Sequence, residues 1–163
     1  MSDATDGADA GLQDGAPSED LSPEDILRDL GSRTTITFGE TTFNISKLPA
    51  RKAYRVWRKT IRAIGLDIET GVGPEVLRAV VAMDDEHLEA IQAELFGGVK
   101  FTNQNARSPQ QVAGAEDTAF QDLEAVDIDE LTMRAFAVNF SKSLQRVVTV
   151  LQWLDRLGVG PTP

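Results

Sequence analysis

Apolar and polar residues alternate between residues 34 and 46, in the run TTITFGETTFNIS. Two five-residue segments of mostly β-branched and aromatic residues flank Gly39-Glu40, a pair suited to a two-residue turn. Because strand side chains alternate between faces, the large apolar residues of each segment share one face. These residues are Ile36, Phe38, Phe43 and Ile45. The pattern predicts a β-hairpin over residues 34–45, which needs another element to pack against.

A helical period follows the hairpin directly, after the Leu48-Pro49 junction. Between residues 50 and 64, apolar residues recur every three or four positions, at Ala53, Trp57, Ile61 and Ile64. The opposite side carries six basic residues, which we call the basic face: Arg51, Lys52, Arg55, Arg58, Lys59 and Arg62. We therefore predict an amphipathic helix that ends at Gly65.

Other segments also have helical patterns. Ser22 as N-cap and Pro23 at the first position predict a short helix to about residue 30. Residues 74–82 and 84–95 predict a helical pair, the second with acidic residues in its first turn. Residues 99–116 lose periodicity, so we predict a polar loop or linker with a brief strand at residues 100–102.

A long helix is predicted from an Asx cap at Asp127, followed three residues later by Glu130. Its apolar stripe includes Ala137, Phe140, Leu144, Val147, Leu151 and Leu154. Most of such a wide stripe is expected to form core. Its length of about 30 residues exceeds the usual 11 or 12, so packing against a second copy of the chain stays open.

Together these elements predict an α+β fold, mainly α, in one domain over residues 25–158. The hairpin would pack on a bundle of about four helices, one of them the long C-terminal helix. Residues 1–24 contain seven acidic and no basic residues, and we expect a disordered acidic arm there. This arm is either a solubilising leader or an interaction tail. Residues 159–163 are expected to fray.

The sequence gives no reason to expect an enzyme. The chain has no cysteine, no glycine-rich phosphate loop, no nucleophile elbow and no paired-histidine motif, so we expect neither cofactor nor metal. His87 lies among acidic residues but lacks a second histidine, and we expect it to be exposed and non-catalytic. No apolar run approaches the roughly 20 residues of a membrane span.

The basic face is compatible with several partners: an anionic membrane, nucleic acid, an acidic protein, the chain's own acidic arm, or water alone. The whole chain has a net charge of -10, which disfavours membrane and nucleic acid. An acidic protein partner or a solvated face is the preferred interpretation.

Two stretches carry a resemblance to a known family: ITFGETTFNISKLPARKAYRVWRKTIRAIG and LTMRAFAVNFSKSLQRVVTVL. Their pattern of two short strands, a Leu-centred junction, a helix and a later Asn-Phe pair resembles the tail assembly chaperones of long-tailed bacteriophages. The pair is Asn139-Phe140, and the resemblance spans residues 34–155. The acidic arm and the long polar stretch at residues 103–115 depart from the family pattern.

The resemblance implies a non-enzymatic chaperone in the host bacterial cytoplasm. It would bind the tape measure protein, keep its long helices soluble and recruit tail tube subunits. The candidate partner-binding residues are Arg51, Arg55, Trp57, Arg58, Arg62, Phe140, Leu144, Val147 and Leu151.

Two alternatives belong to other classes. The first is a permanent structural component of the virion, such as a tail or baseplate adaptor. The second is a regulatory binder whose acidic arm imitates nucleic acid.

Overall fold

The computed structural model describes residues 22–65 and 74–156. Most of the predicted acidic arm and the predicted C-terminal tail lie outside the described residues. In chain order the elements are α1 (Pro23–Ser32), β1 (Thr35–Phe38), β2 (Thr41–Ile45), α2 (Ala50–Ile64), α3 (Pro74–Val81), α4 (Asp85–Leu95), β3 (Val99–Thr102), β4 (Gln110–Gln111), α5 (Glu116–Phe120) and α6 (Ala125–Arg156).

The predicted α+β, mainly helical class is confirmed. Within the described residues there are six α-helices, including the long C-terminal α6, and one antiparallel sheet with the strand order β1-β2-β3-β4. Five of the six helices have a helical pattern in the sequence, and α5 is the additional one.

The predicted hairpin and its two-residue turn at Gly39-Glu40 are confirmed. Ile36 lies opposite Phe43, and the two-residue turn between Phe38 and Thr41 begins with Gly39 at φ +55°. A positive φ at the first turn position alone is the pattern of a type II′ turn. Phe43 is fully buried, whereas the polar partners on the other face bond across the strands, as in the 3.1 Å contact between the hydroxyls of Thr37 and Thr42.

The hairpin is extended into a larger sheet, which the sequence pattern did not predict. β3 pairs with β2 so that Phe101 lies opposite Phe43, and β4 pairs with β3. The Phe43 ring also lies 6.3 Å from the ring of Phe120 in α5. Residues 99–120 therefore provide part of the surface that stabilises the hairpin.

The prediction of a polar loop with a brief strand is confirmed for most of residues 99–116: β3 forms, and residues 103–109 and 112–115 lie outside helices and strands. The linker alternative is wrong, because β4 also forms and the stretch packs into the domain. Two scattered apolar residues, Ala106 and Val112, are buried and attach this stretch to the core. The Asn103 side chain also fixes it: Oδ1 accepts from the backbone N–H of Asn105 and Ala106, and Nδ2 donates to the Thr118 carbonyl. These side-chain hydrogen bonds fix the backbone of the stretch, although its sequence has no regular hydrophobic period.

Helix α6 is the element on which the other helices converge. Helices α1, α3 and α4 all pack against it. The fully buried side chains of these four helices include Leu27, Val80, Ile91, Leu95, Leu131, Phe136 and Leu144. Helix α1 approaches closely enough that the Gly31 backbone lies against Ser141, and a Cβ at Gly31 would be 2.7 Å from Ser141 Cβ.

The start of α6 differs slightly from the prediction. The helix begins at Ala125, and Asp127 is its third residue and not its cap. Asp127 Oδ2 accepts from the backbone N–H of Glu124 at 2.9 Å, which is the reciprocal half of a capping box. By contrast, Ser22 caps α1 as predicted, since its Oγ accepts from the Asp25 backbone N–H.

A single side chain joins α6 to the junction between sheet and helix. The backbone N–H of Leu48 donates to Asn139 Oδ1 at 2.8 Å, and Asn139 Nδ2 donates to the Ala135 carbonyl at 2.8 Å. Leu48 lies between β2 and α2 and precedes Pro49, which favours extended backbone. Its N–H therefore belongs neither to the strand ladder nor to the helix, and Asn139 satisfies it.

We predict that Gly31→Ala destabilises the protein by about 1–3 kcal/mol, because the new methyl group overpacks the contact between α1 and α6. The free energy of unfolding, measured by denaturant titration, tests this. Gly97→Ala is the matched control, since no atom lies within 4 Å of a Cβ placed there. Equal stability of the two variants would contradict the close approach at Gly31.

We also predict that Asn139→Ala costs about 1–3 kcal/mol of unfolding free energy, because the half-buried Leu48 N–H loses its acceptor. Asn44→Ala is the control. Asn44 is exposed on β2, and within the described residues its side chain bonds only to the Thr35 hydroxyl, so a change within about 0.5 kcal/mol is expected there. If both variants lose the same free energy of unfolding, the hydrogen bond from Leu48 to Asn139 does not contribute the expected stability.

Candidate functional site

The candidate site is the solvent-facing side of α2, which carries the basic face. The packing of the opposite, inner side of α2 against the core sets its position. Val56 is fully buried, and Thr60 Oγ1 donates to the Val56 carbonyl at 2.9 Å. The half-buried Trp57 ring lies 5.6 Å from the Phe140 ring and 6.5 Å from the Phe136 ring, both in α6. Trp57 therefore attaches α2 to α6 and is not a free contact residue.

All six side chains of the basic face are exposed. Residues 50–64 contain no acidic residue, so α2 has a net charge of +6. Tyr54 is 59% exposed, and the Arg58 guanidinium carbon lies 5.9 Å from the centroid of its ring. The outer side of α2 thus combines dense positive charge with one exposed aromatic ring.

Glu94 of α4 lies beside the basic face. Lys59 Nζ is 2.6 Å from Glu94 Oε1, and Arg55 Nε is 3.7 Å from Oε2. Oε2 is buried and accepts no hydrogen bond. Within the described residues, 22–65 and 74–156, the other four cations of the basic face form no salt bridge. One carboxylate therefore opposes six positive charges.

A groove with a volume of about 300 Å³ runs beside this ion pair. Its lining includes Lys52 and Arg55 from α2, Glu94 from α4, and Gln111 from β4. Because two cations face one carboxylate there, the groove is suited to an anionic group.

The N-terminal end of α2 adds to the positive potential. Pro49 is the N-cap residue and provides no side-chain hydrogen bond, and the first turn carries Arg51 and Lys52 without an acidic residue. The helix dipole also places partial positive charge at this end, so the cations are unfavourably placed. An anionic partner would relieve this repulsion.

The candidates on α6 have different surroundings. Phe140 is 3% exposed and Leu144 is fully buried, so both side chains are occupied inside the protein. Val147 and Leu151 lie in the helix, but their side chains are outside the described residues. Among the predicted candidates, the structure brings Arg51, Arg55, Arg58 and Arg62 together on one exposed face, with Trp57 and Phe140 packed behind it.

His87 is exposed, as predicted, and the capping of α4 accounts for its surroundings. Asp84 is the N-cap residue, and its carboxylate accepts from the His87 backbone N–H and lies 2.7 Å from His87 Nδ1. The hydrogen bond from the His87 side chain is the main cause that lowers the pKa of Asp84 below its usual value. Throughout the described part of the chain, no group of three histidine or acidic side chains is placed to hold a metal ion.

Tyr54 and Glu94 contribute to the site, although neither was among the sequence candidates or in the predicted basic face. Tyr54 could have been found, because it lies three positions after Arg51 and four before Arg58 and therefore shares their face. Glu94 gave no signal in the sequence, since it pairs with Lys59 from 35 positions away.

Comparisons with known proteins add no assignment: no family model, no curated protein and no solved structure matches the chain. In the parts of the chain that the structure describes, no helix combines the length and apolar character needed to cross a membrane.

We predict that His87→Ala raises the pKa of Asp84 toward its ordinary value, because the main cause of the lowered pKa is removed. A lowered carboxyl pKa stabilises the fold above the ordinary aspartate range, and this contribution is lost as pH falls through the folded-state pKa. The measurement is an NMR titration of the Asp84 carboxyl.

Glu116 is an internal control for this titration. The pKa of Glu116 is lowered by the backbone N–H of Gly114, which His87 does not contact. It should therefore keep its value in the variant. An unchanged pKa at Asp84 would contradict the role assigned to His87.

Proposed function

We propose that this protein is a non-enzymatic phage tail assembly chaperone that binds the tape measure protein and tail tube subunits. One observation carries the proposal: the two stretches behind the family resemblance meet in the fold. The Leu-centred junction and the Asn-Phe pair are joined by the hydrogen bond between Leu48 and Asn139 and by the contact of Trp57 with Phe140. The shared pattern thus corresponds to one packing unit that sets the position of α2.

The proposed contact surface is the basic face of α2. A rigid helix with a net charge of +6 can recognise an acidic surface on a tail protein without any covalent chemistry. Opposite charges accelerate encounter and fix orientation, and their effect weakens as salt rises. Such a contact suits a chaperone, which must release its partner when the tail assembles.

An apolar contact would accompany the charged one. Tyr54 provides an exposed aromatic ring among the cations. Val147 and Leu151 remain candidates for binding an amphipathic helix of the tape measure protein. Phe140 and Leu144 do not, because in this conformation they belong to the core. Under this proposal the protein works in the cytoplasm of the infected bacterium.

The test is co-purification with the tape measure protein after co-expression. The variant reverses the charge at three positions of the basic face: Arg51→Glu, Arg58→Glu and Arg62→Glu. Three surface ion pairs at about 0.5 kcal/mol each predict roughly a tenfold loss of affinity. Titration of the partner in a pull-down measures that loss.

A matched control reverses three exposed cations elsewhere: Lys100→Glu, Arg107→Glu and Lys142→Glu. This variant changes net charge equally and should retain binding. If both variants weaken binding alike, the basic face is not the contact surface. If the unmodified protein captures no tail component and instead occurs in purified particles, the permanent virion component replaces the chaperone.

A further inference from the structure

The positive charge of this protein is concentrated on one helix. Over the described helices, α2 has a net charge of +6, whereas α1 and α5 have -2 each, α4 has -4, and α3 and α6 are neutral. Among these six helices α2 alone is cationic. The described structure supplies only Glu94 to oppose it.

The complementary charge is present in the N-terminal segment, residues 1–21, which lies outside the described residues. This segment contains six acidic residues and no basic one: Asp3, Asp6, Asp9, Asp14, Glu19 and Asp20. Apart from this segment and α2, the rest of the chain has a net charge of -10, with 20 acidic and 10 basic residues. The segment is therefore repelled by most of the protein and attracted by α2.

Chain length allows the two to meet. The segment joins the domain at Ser22, and 21 residues span up to about 70 Å. A folded domain of this size has a radius of gyration of about 14 Å. Covalent attachment also gives the segment a local concentration in the millimolar range, which makes even weak charge pairing effective.

We propose that residues 1–21 lie on the basic face of α2 in the free protein and compete there with acidic partners. A partner must then displace the segment from the basic face. A strongly acidic surface can do so, whereas a weakly acidic protein cannot. The contact is electrostatic and weakens with salt. It needs nothing outside the chain and does not depend on the proposed role in tail assembly.

The lack of cysteine makes a direct test simple, because an Ala10→Cys variant of the full chain takes a spin label at one position. Paramagnetic broadening of backbone amides in NMR spectra then shows what the segment approaches. We expect selective broadening at residues 51–62 of α2, compared with β1 and β2. The Arg51→Glu, Arg58→Glu, Arg62→Glu variant should remove it, and the Lys100→Glu, Arg107→Glu, Lys142→Glu control should retain it.

Competition is measured with a fluorescent oligoglutamate peptide as the acidic probe. The full chain is compared with a full-length variant in which the six acidic residues of the segment become Asn or Gln. We expect the neutralised variant to bind the probe several-fold more tightly at low salt, and the difference to vanish at about 0.5 M salt.

Three results would overturn the inference: broadening spread evenly over the surface, broadening that survives reversal of the basic face, or equal probe affinity of the two chains. None of these bears on capture of the tape measure protein, so the proposed function is judged separately.

Discussion

The hydrogen bond from the Leu48 backbone to Asn139 is the interaction on which the arrangement of this protein depends. It satisfies a polar group at the point where the chain leaves the sheet and enters α2, and its acceptor lies 91 residues away in α6. Close to Asn139 in α6, the rings of Phe136, three positions earlier, and Phe140, the next residue, contact Trp57. The hydrogen bond at Leu48 and the ring contacts at Trp57 together fix the rotation of α2 about its axis. That rotation determines which side chains of α2 face the solvent.

The two sides of α2 have separate tasks. Its inner side provides apolar and aromatic surface with few charges to desolvate, so packing sets its position. Its outer side carries like charges at helical spacing, which repel one another and weaken the isolated helix. The fold tolerates this cost because packing and the Glu94 pairs compensate for it. A surface that is unfavourable within its own chain is favourable toward an anionic partner, which is why the basic face is the best candidate site.

Much of this architecture could be predicted because its signals are local. The hairpin turn at Gly39, the cap at Ser22 and the period of α2 each depend on residues within a few positions. The brief strand at residues 100–102 could be predicted but its partner could not, since β3 pairs with β2, which lies more than 50 positions earlier. In the same way, periodicity marked Phe140 and Leu144 as apolar contacts but could not tell core from partner surface. Their burial is a property of the assembled helices.

The sheet order leaves β1 at one edge, so in the described chain the side of Thr35–Phe38 that faces away from β2 has no strand beside it. An open edge can pair with the same edge of another molecule, which is a route to aggregation. Near neutral pH, the net charge of -10 keeps copies apart by long-range repulsion. That protection weakens toward the isoelectric point near 4.5, so the acidity of the chain also determines the pH range in which an exposed hairpin is tolerated.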